Sequence, residues 1–129
     1  MNAIAGLLDT NILVDILRGY SAAIQWMQAH PDLTLGIPSL VRMELVLGTN
    51  HKAQQEQVLA RLSGFPVILT SEADSLWAMQ QFERFHLSHQ VEIIDCFIAG
   101  MSVRLNVPLF TRNVSDMRIF PDVHVVTPY

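Results

Sequence analysis

Residues 1–129 are predicted to form an α/β domain with a mostly parallel central sheet, and three observations lead there. Short apolar runs alternate with segments of helical spacing along the chain. No repeat, low-complexity tract or linker breaks the series. The length of 129 residues, with 50% apolar side chains, suits one packed core, whereas two domains would each fall short of one.

Ala5 to Leu8 is an apolar run without helical spacing that ends at Asp9-Thr10-Asn11, residues that turn a chain or cap a helix. The order therefore reads strand, carboxylate, helix. From Ile12 to Arg18 the apolar residues fall at 12, 13, 16 and 17, and Gly19 stops the helix. Ser21 is read as the cap of a second helix to about Ala29. Leu33 to Ile37, closed by Pro38, is a brief strand feeding Ser39 as the cap of a third helix, which contains Glu44 and ends at Gly48. A more polar helix from about His51 to Leu62 turns Ala53, Val58, Leu59 and Leu62 inward. Phe65 to Leu69, bounded by Gly64 and Thr70-Ser71, has the composition of a buried strand. Ser71 and Asp74 resemble a capping box opening a helix to about Phe85. His86 to Glu92 is polar and reads as a loop, after which Ile93-Ile94 leads to Asp95 at the start of an apolar helix to Leu105. Val107 to Phe110 is the next strand, Thr111 to Arg118 a turn with one helical turn, and Val123 to Val126 the final strand.

Composition narrows the function. Apolar stretches such as Ile12 to Leu17 are far shorter than a bilayer span, so no membrane association is expected. The first residues carry no basic segment followed by an apolar run and a cleavage site, which makes the cytoplasm the expected address. A lone cysteine, Cys96, excludes an internal disulfide and a thiolate zinc site, and reads as a small buried apolar residue. A net charge of -4, with only eight Lys and Arg, argues against binding nucleic acid through a basic surface alone. Divalent cations can supply the positive charge that the side chains lack.

In a parallel sheet, ligands gather beyond the carboxyl ends of the strands. Asp9 follows the first strand at that edge, Thr111, Asn113 and Asp116 follow a later one, and Glu44 and Asp95 reach it from the N-terminal halves of helices. Asp9 and Asp95 also suit helix caps. Glu44 has Leu40, Val41, Leu47 and Gly48 three or four positions away, an apolar face on which a carboxylate needs a partner, and Arg42 and Arg112 are the structural candidates. Carboxylates converging in a partly buried pocket raise one another's pKa, a conflict that Mg²⁺ or Mn²⁺ relieves. Such a cluster can activate water for attack on phosphorus, so phosphodiester hydrolysis is the expected chemistry.

The stretches Leu7-Leu8-Asp9-Thr10-Asn11-Ile12-Leu13, Met43-Glu44-Leu45 with Gly48, Asp95-Cys96-Phe97-Ile98-Ala99 and Thr111-Arg112-Asn113-Val114-Ser115-Asp116 follow in the order and approximate spacing of PIN domains. The chain resembles, more narrowly, the VapC toxins of type II toxin-antitoxin systems, and the resemblance spans nearly all of it. It implies a parallel sheet flanked by helices, Mg²⁺- or Mn²⁺-dependent endoribonuclease activity on RNA, homodimerisation, and inhibition by a cognate VapB-like antitoxin that inserts into the acidic pocket. It also implies Asp9 and Asp95 as direct metal ligands, Glu44 as completing the acidic set, Asn11 as orienting Asp9, and Thr111 as supporting the pocket through its hydroxyl. The fourth acidic position stays open between Asn113 and Asp116, with turn formation or capping as the other reading of Asp116. Asp15 and Asp122 fall outside the motifs and read as surface acids.

The five histidines include no pair at ligand spacing on an apolar helix, and His86 and His89 fall in the expected loop. No Gly-rich phosphate loop or G-x-S-x-G is present. Trp26, Trp77 and the phenylalanines read as core or interface residues and not as base-stacking ones. Two other functions use the same fold: a small metal-dependent phosphatase, for which Asp9 lacks a second aspartate two residues on, and a non-catalytic interaction module, which would not need the acids.

Overall fold

The computed structural model describes residues 3–129, so the first two positions of the expected domain lie outside it. In chain order the elements are β1 (Gly6–Leu8), α1 (Thr10–Leu17), α2 (Ser21–Ala29), β2 (Leu35–Pro38), α3 (Ser39–Leu47), α4 (Lys52–Leu62), β3 (Val67–Ile68), α5 (Glu72–His89), α6 (Ile93–Leu105), β4 (Leu109–Phe110), α7 (Val114–Met117) and β5 (Val125–Val126). The strands form one sheet in the order β3-β2-β1-β4-β5, and every pairing is parallel.

The centre of the sheet is its driest part. Leu7, Leu8 and Leu109 are fully buried, as expected of strands covered on both faces, and with Ile12, Leu13, Ile37, Val41, Ile98 and Met101 they form the core. Gly6 keeps β1 close under a neighbouring ring, since a β carbon there would lie 2.3 Å from Phe110 Cε2. On α6, Gly100 packs against the Trp77 ring of α5, where a β carbon would lie 2.9 Å from Cε3.

Several local expectations need correction. The segment from His86 is not a loop: α5 continues to His89, because Phe82 and His86 stack at 4.9 Å, Phe85 and His89 meet at 5.6 Å, and the turn is deferred to left-handed Gln90 at φ 53°. The run Phe65 to Leu69 contributes only the two-residue β3, an edge strand with Val67 37% exposed and not a buried one, since β2 covers just one of its sides. Ser21 and Ser39 are first residues of their helices and cap neither; Tyr20 and Pro38 hold those positions without a side-chain bond. Ala53 is exposed, while Leu62 alone of the expected inner face of α4 is fully buried. The Ser71–Asp74 capping box forms as read, and Asp74 also takes Arg104 of α6 at 2.8 and 2.9 Å, fastening the two longest helices.

The chain leaves β1 toward β2 and β3 on one side and later returns to β4 and β5 on the other. This reversal splays the connections after β1 and β4 apart and opens a crevice at their carboxyl ends. No helix among the described residues is long and apolar enough to cross a membrane.

Candidate active site

Asp9 leaves β1 directly into that crevice and is 5% exposed. Its Oδ1 accepts the Thr10 backbone N–H at 2.8 Å, so it caps α1 as well as facing the cleft. Its Oδ2 accepts the Thr111 hydroxyl at 2.8 Å and the Asn11 amide at 3.4 Å. The buried Thr111 oxygen also accepts Asn11 Nδ2 at 3.1 Å and the Asn113 N–H at 2.9 Å, which exhausts the one donor and two acceptor sites of a hydroxyl. Asn11 Oδ1 takes the Arg112 N–H at 2.9 Å, completing a lattice across the β1–β4 junction.

Glu44 belongs to the second half of α3, not the first, and its Oε1 accepts the Thr10 hydroxyl at 2.6 Å. Neither arginine considered as its partner pairs with it: Arg112 Nη1 binds Asp15 at 2.9 Å. Its helix neighbours Leu47 and Gly48 are exposed, so this side of α3 borders an open cleft instead of core. Asp15 is not a free surface acid either, since its side chain, 14% exposed, also accepts the Tyr129 hydroxyl at 2.8 Å.

Asp95 sits in the first turn of α6, one turn inside the cap position, which Glu92 occupies without a side-chain bond. Asp9, Asn11, Glu44, Glu92, Asp95 and Asn113 line one cleft of about 440 Å³. Asp116 lies outside it, exposed on α7, where it shares a smaller pocket with Glu92 and Asp95. The cap of α7 is Asn113, so Asp116 is not a capping residue. Asn113 and Asp116 thus approach Asp95 from two different cavities.

The electrostatics are those of crowded acids. Burial, then the charges of Asp9, Glu92, Glu44 and Asp116, push the Asp95 carboxyl up to about 7. Burial also raises Asp9, with Glu44 adding to it, against the lowering effect of the bonds from Thr111, Thr10 and Asn11. The donors are all oxygen, the kind that Mg²⁺ and Mn²⁺ prefer. Among the described residues no three Asp, Glu, His or Cys side chains close into a ready-made cage. That fits a cation which takes one or two carboxylates and fills its other positions with water and substrate oxygens.

Glu92 and Thr10 were missed in the sequence. Glu92 stands three residues before Asp95, the spacing of neighbours on a helix, but its polar surroundings masked it as loop. Cys96 is buried as expected, and burial with the Asp95 charge pushes its thiol up to about 11, which makes it unreactive.

The PIN domain model matches residues 6–118. Ribonuclease VapC19 of Mycobacterium tuberculosis is 30% identical over 124 residues, spanning 91% of this chain and 95% of the relative. A toxin-antitoxin complex from Klebsiella pneumoniae contains a chain 28% identical, with a TM-score of 0.78 over 96% of this chain and 98% of that one. VapBC2 from Rickettsia felis, bound to a promoter DNA fragment, matches at 23% identity with a TM-score of 0.79 over 94% and 96% of the two chains, a likeness of fold. With the model running from β1 through α7 and a ribonuclease relative aligned along nearly its whole length, the chain belongs to the PIN domain family.

Proposed function

We propose that this chain is a divalent-metal-dependent endoribonuclease and the toxin of a VapBC-type pair, acting on RNA in the cytoplasm. The observation that carries the reading is the convergence of Asp9, Glu44, Glu92 and Asp95, drawn from three separate stretches, on one cleft at the switch point of the sheet. Asp9 and Asp95 would hold Mg²⁺ or Mn²⁺ directly. Bound there, the cation supplies positive charge that offsets the carboxylates and polarises a phosphodiester oxygen.

The protein's own residues prepare the rest. Thr111 and Asn11 fix the plane of the Asp9 carboxylate, so little ordering remains when substrate arrives. Glu44 Oε1 is held by Thr10, which leaves Oε2 to accept a proton from an attacking water. Asn113 can hydrogen-bond a water in the main cleft, and Asp116 adds charge from the neighbouring pocket. A homodimer and a VapB-like antitoxin that enters the acidic cleft complete the proposal; the similar Klebsiella pneumoniae chain comes from a toxin-antitoxin complex.

The test is cleavage of a panel of structured RNAs by wild type and Asp9→Asn, with Mg²⁺, Mn²⁺ or chelator. Metal-dependent cutting by wild type alone is expected. Equal cutting in chelator, or full activity in both Asp9→Asn and Asp95→Asn, would overturn the assignment.

A further inference from the structure

A second groove of about 440 Å³ opens beside the acidic cleft, between α1, α3 and α4. The two share Thr10, Val14, Arg18 and Glu44, so the path between them is continuous. Val14, Leu17 and Val58 supply an apolar floor, and Gln54 and Gln57 stand along the α4 wall. Gln54 Oε1 accepts the Asn50 N–H at 2.8 Å, leaving its NH₂ to donate elsewhere. Arg61 donates to the Leu17 and Ile16 carbonyls at 2.6 and 3.1 Å, which holds α4 against the end of α1 and keeps the groove in shape. Arg18, at the junction of the two cavities, forms no ion pair among the described residues.

We propose that this groove is a nucleotide subsite for the RNA strand, seating the base next to the phosphodiester that is cut. The inference rests on the RNA reading above and adds where the substrate lies. Three features suit the base and phosphate of a nucleotide: an apolar floor for the face of the base, carboxamides for its edge, and a free guanidinium for the linking phosphate. The volume falls within the usual range for small-ligand pockets of about 300–1,000 Å³. Continuity with the cleft fixes the occupant, because a strand whose phosphate lies at Asp9 and Asp95 must place its neighbouring nucleotide within one phosphodiester step. Arg18 is then a positioning residue, and Gln57 a determinant of base preference.

A thiol-protection experiment tests this without reference to turnover. Cys96 is fully buried, so Gln57→Cys carries a single accessible thiol. On an Asp9→Asn background with Mg²⁺, a pool of single-stranded hexaribonucleotides at about ten times its Kd should slow modification of that thiol about tenfold, by mass action. Gln80→Cys, at an exposed position of α5 that lines neither cavity, should be unaffected. Alongside, Arg18→Ala should raise KM about tenfold with little change in kcat, and Gln57→Ala should alter the base found beside the cut while leaving the RNA still cleaved. RNA that binds by anisotropy but gives no protection, with both variants cutting like wild type, overturns the subsite and leaves the nuclease standing. Loss of a protein partner's binding in these variants, with RNA cutting unchanged, overturns it in favour of a protein-docking groove. Absence of any RNA binding or cutting by wild type removes the nuclease reading and the subsite with it.

Discussion

Replacing Asp95 by asparagine should make the metal-free protein more stable at alkaline pH while abolishing its activity. The folded chain holds the Asp95 proton up to about pH 7, whereas the unfolded chain releases it near the ordinary 3.8. Folding is therefore unpenalised below about pH 4, becomes less favourable as the pH rises toward 7, and carries the full deficit above it. At about 1.4 kcal/mol per pH unit that interval sets an upper limit of about 4 kcal/mol. Asp95 is only half-buried, so solvent screening brings the expected deficit to about 2 kcal/mol. Urea unfolding followed by tryptophan fluorescence, in chelator at pH 4.5 and pH 8, measures it directly. Asp95→Asn should lie close to wild type at pH 4.5, where about a quarter of the deficit is expressed, and unfold about 1 M later at pH 8. Saturating Mg²⁺ should close the gap by stabilising wild type more than the variant. If the two proteins have equal midpoints at both pH values, the carboxylate is not under electrostatic strain and the argument for a metal at this position loses its physical basis.

Thr111→Val should cost about 1–2 kcal/mol by stranding three hydrogen-bonding groups and should lower RNA cleavage more than Thr111→Ser does, as read by melting and single-turnover assays. Asp74→Ala, which is not part of the cleft lining, should cost about 2 kcal/mol because it removes the side-chain half of the capping box and the Arg104 pair together, leaving the Ser71 cap in place, while cleavage per folded molecule is unchanged. Burial raises Asp74, but Arg104 and the Ser71 N–H hold it below 3.8 on balance, so this contribution is complete above about pH 4 and lost as acid protonates the folded carboxyl; an acid titration of wild type against Asp74→Ala should show the curves converging. Gly100→Ala should lower stability by about 1 kcal/mol, the strain against Trp77 exceeding the gain in helix propensity, and calorimetry would refute this if the melting temperature rose.

The parallel sheet was legible because its strands are short apolar runs each closed by a turn or cap residue, and Asp9 and Thr111 could be assigned to one edge on that basis alone. What could not be read are the contacts that join distant segments. The Thr10–Glu44 bond, and the Asp15–Arg112–Tyr129 group with partners 97 and 114 residues from Asp15, depend on how α1 lies against its neighbours, and no local pattern encodes that. Apolar spacing also overstated burial around Glu44, since Leu47 is 84% exposed. The reach of α5 was hidden by its polar last turn, where aromatic–histidine pairs one turn apart do the work that an apolar face does elsewhere.

The bond between Thr111 and Asp9 joins residues 102 positions apart and sits where β4 slots against the central strand. Contacts of that separation are among the last a nascent chain can make. A ribosome that has synthesised α1 through α5 has produced Asp9 and Glu44 but not Asp95 or the threonine that aligns Asp9, so the emerging polypeptide holds only half of its chemistry. The strand order thus works as a timing device, in which the cleft becomes complete only once the second half of the sheet has left the ribosome.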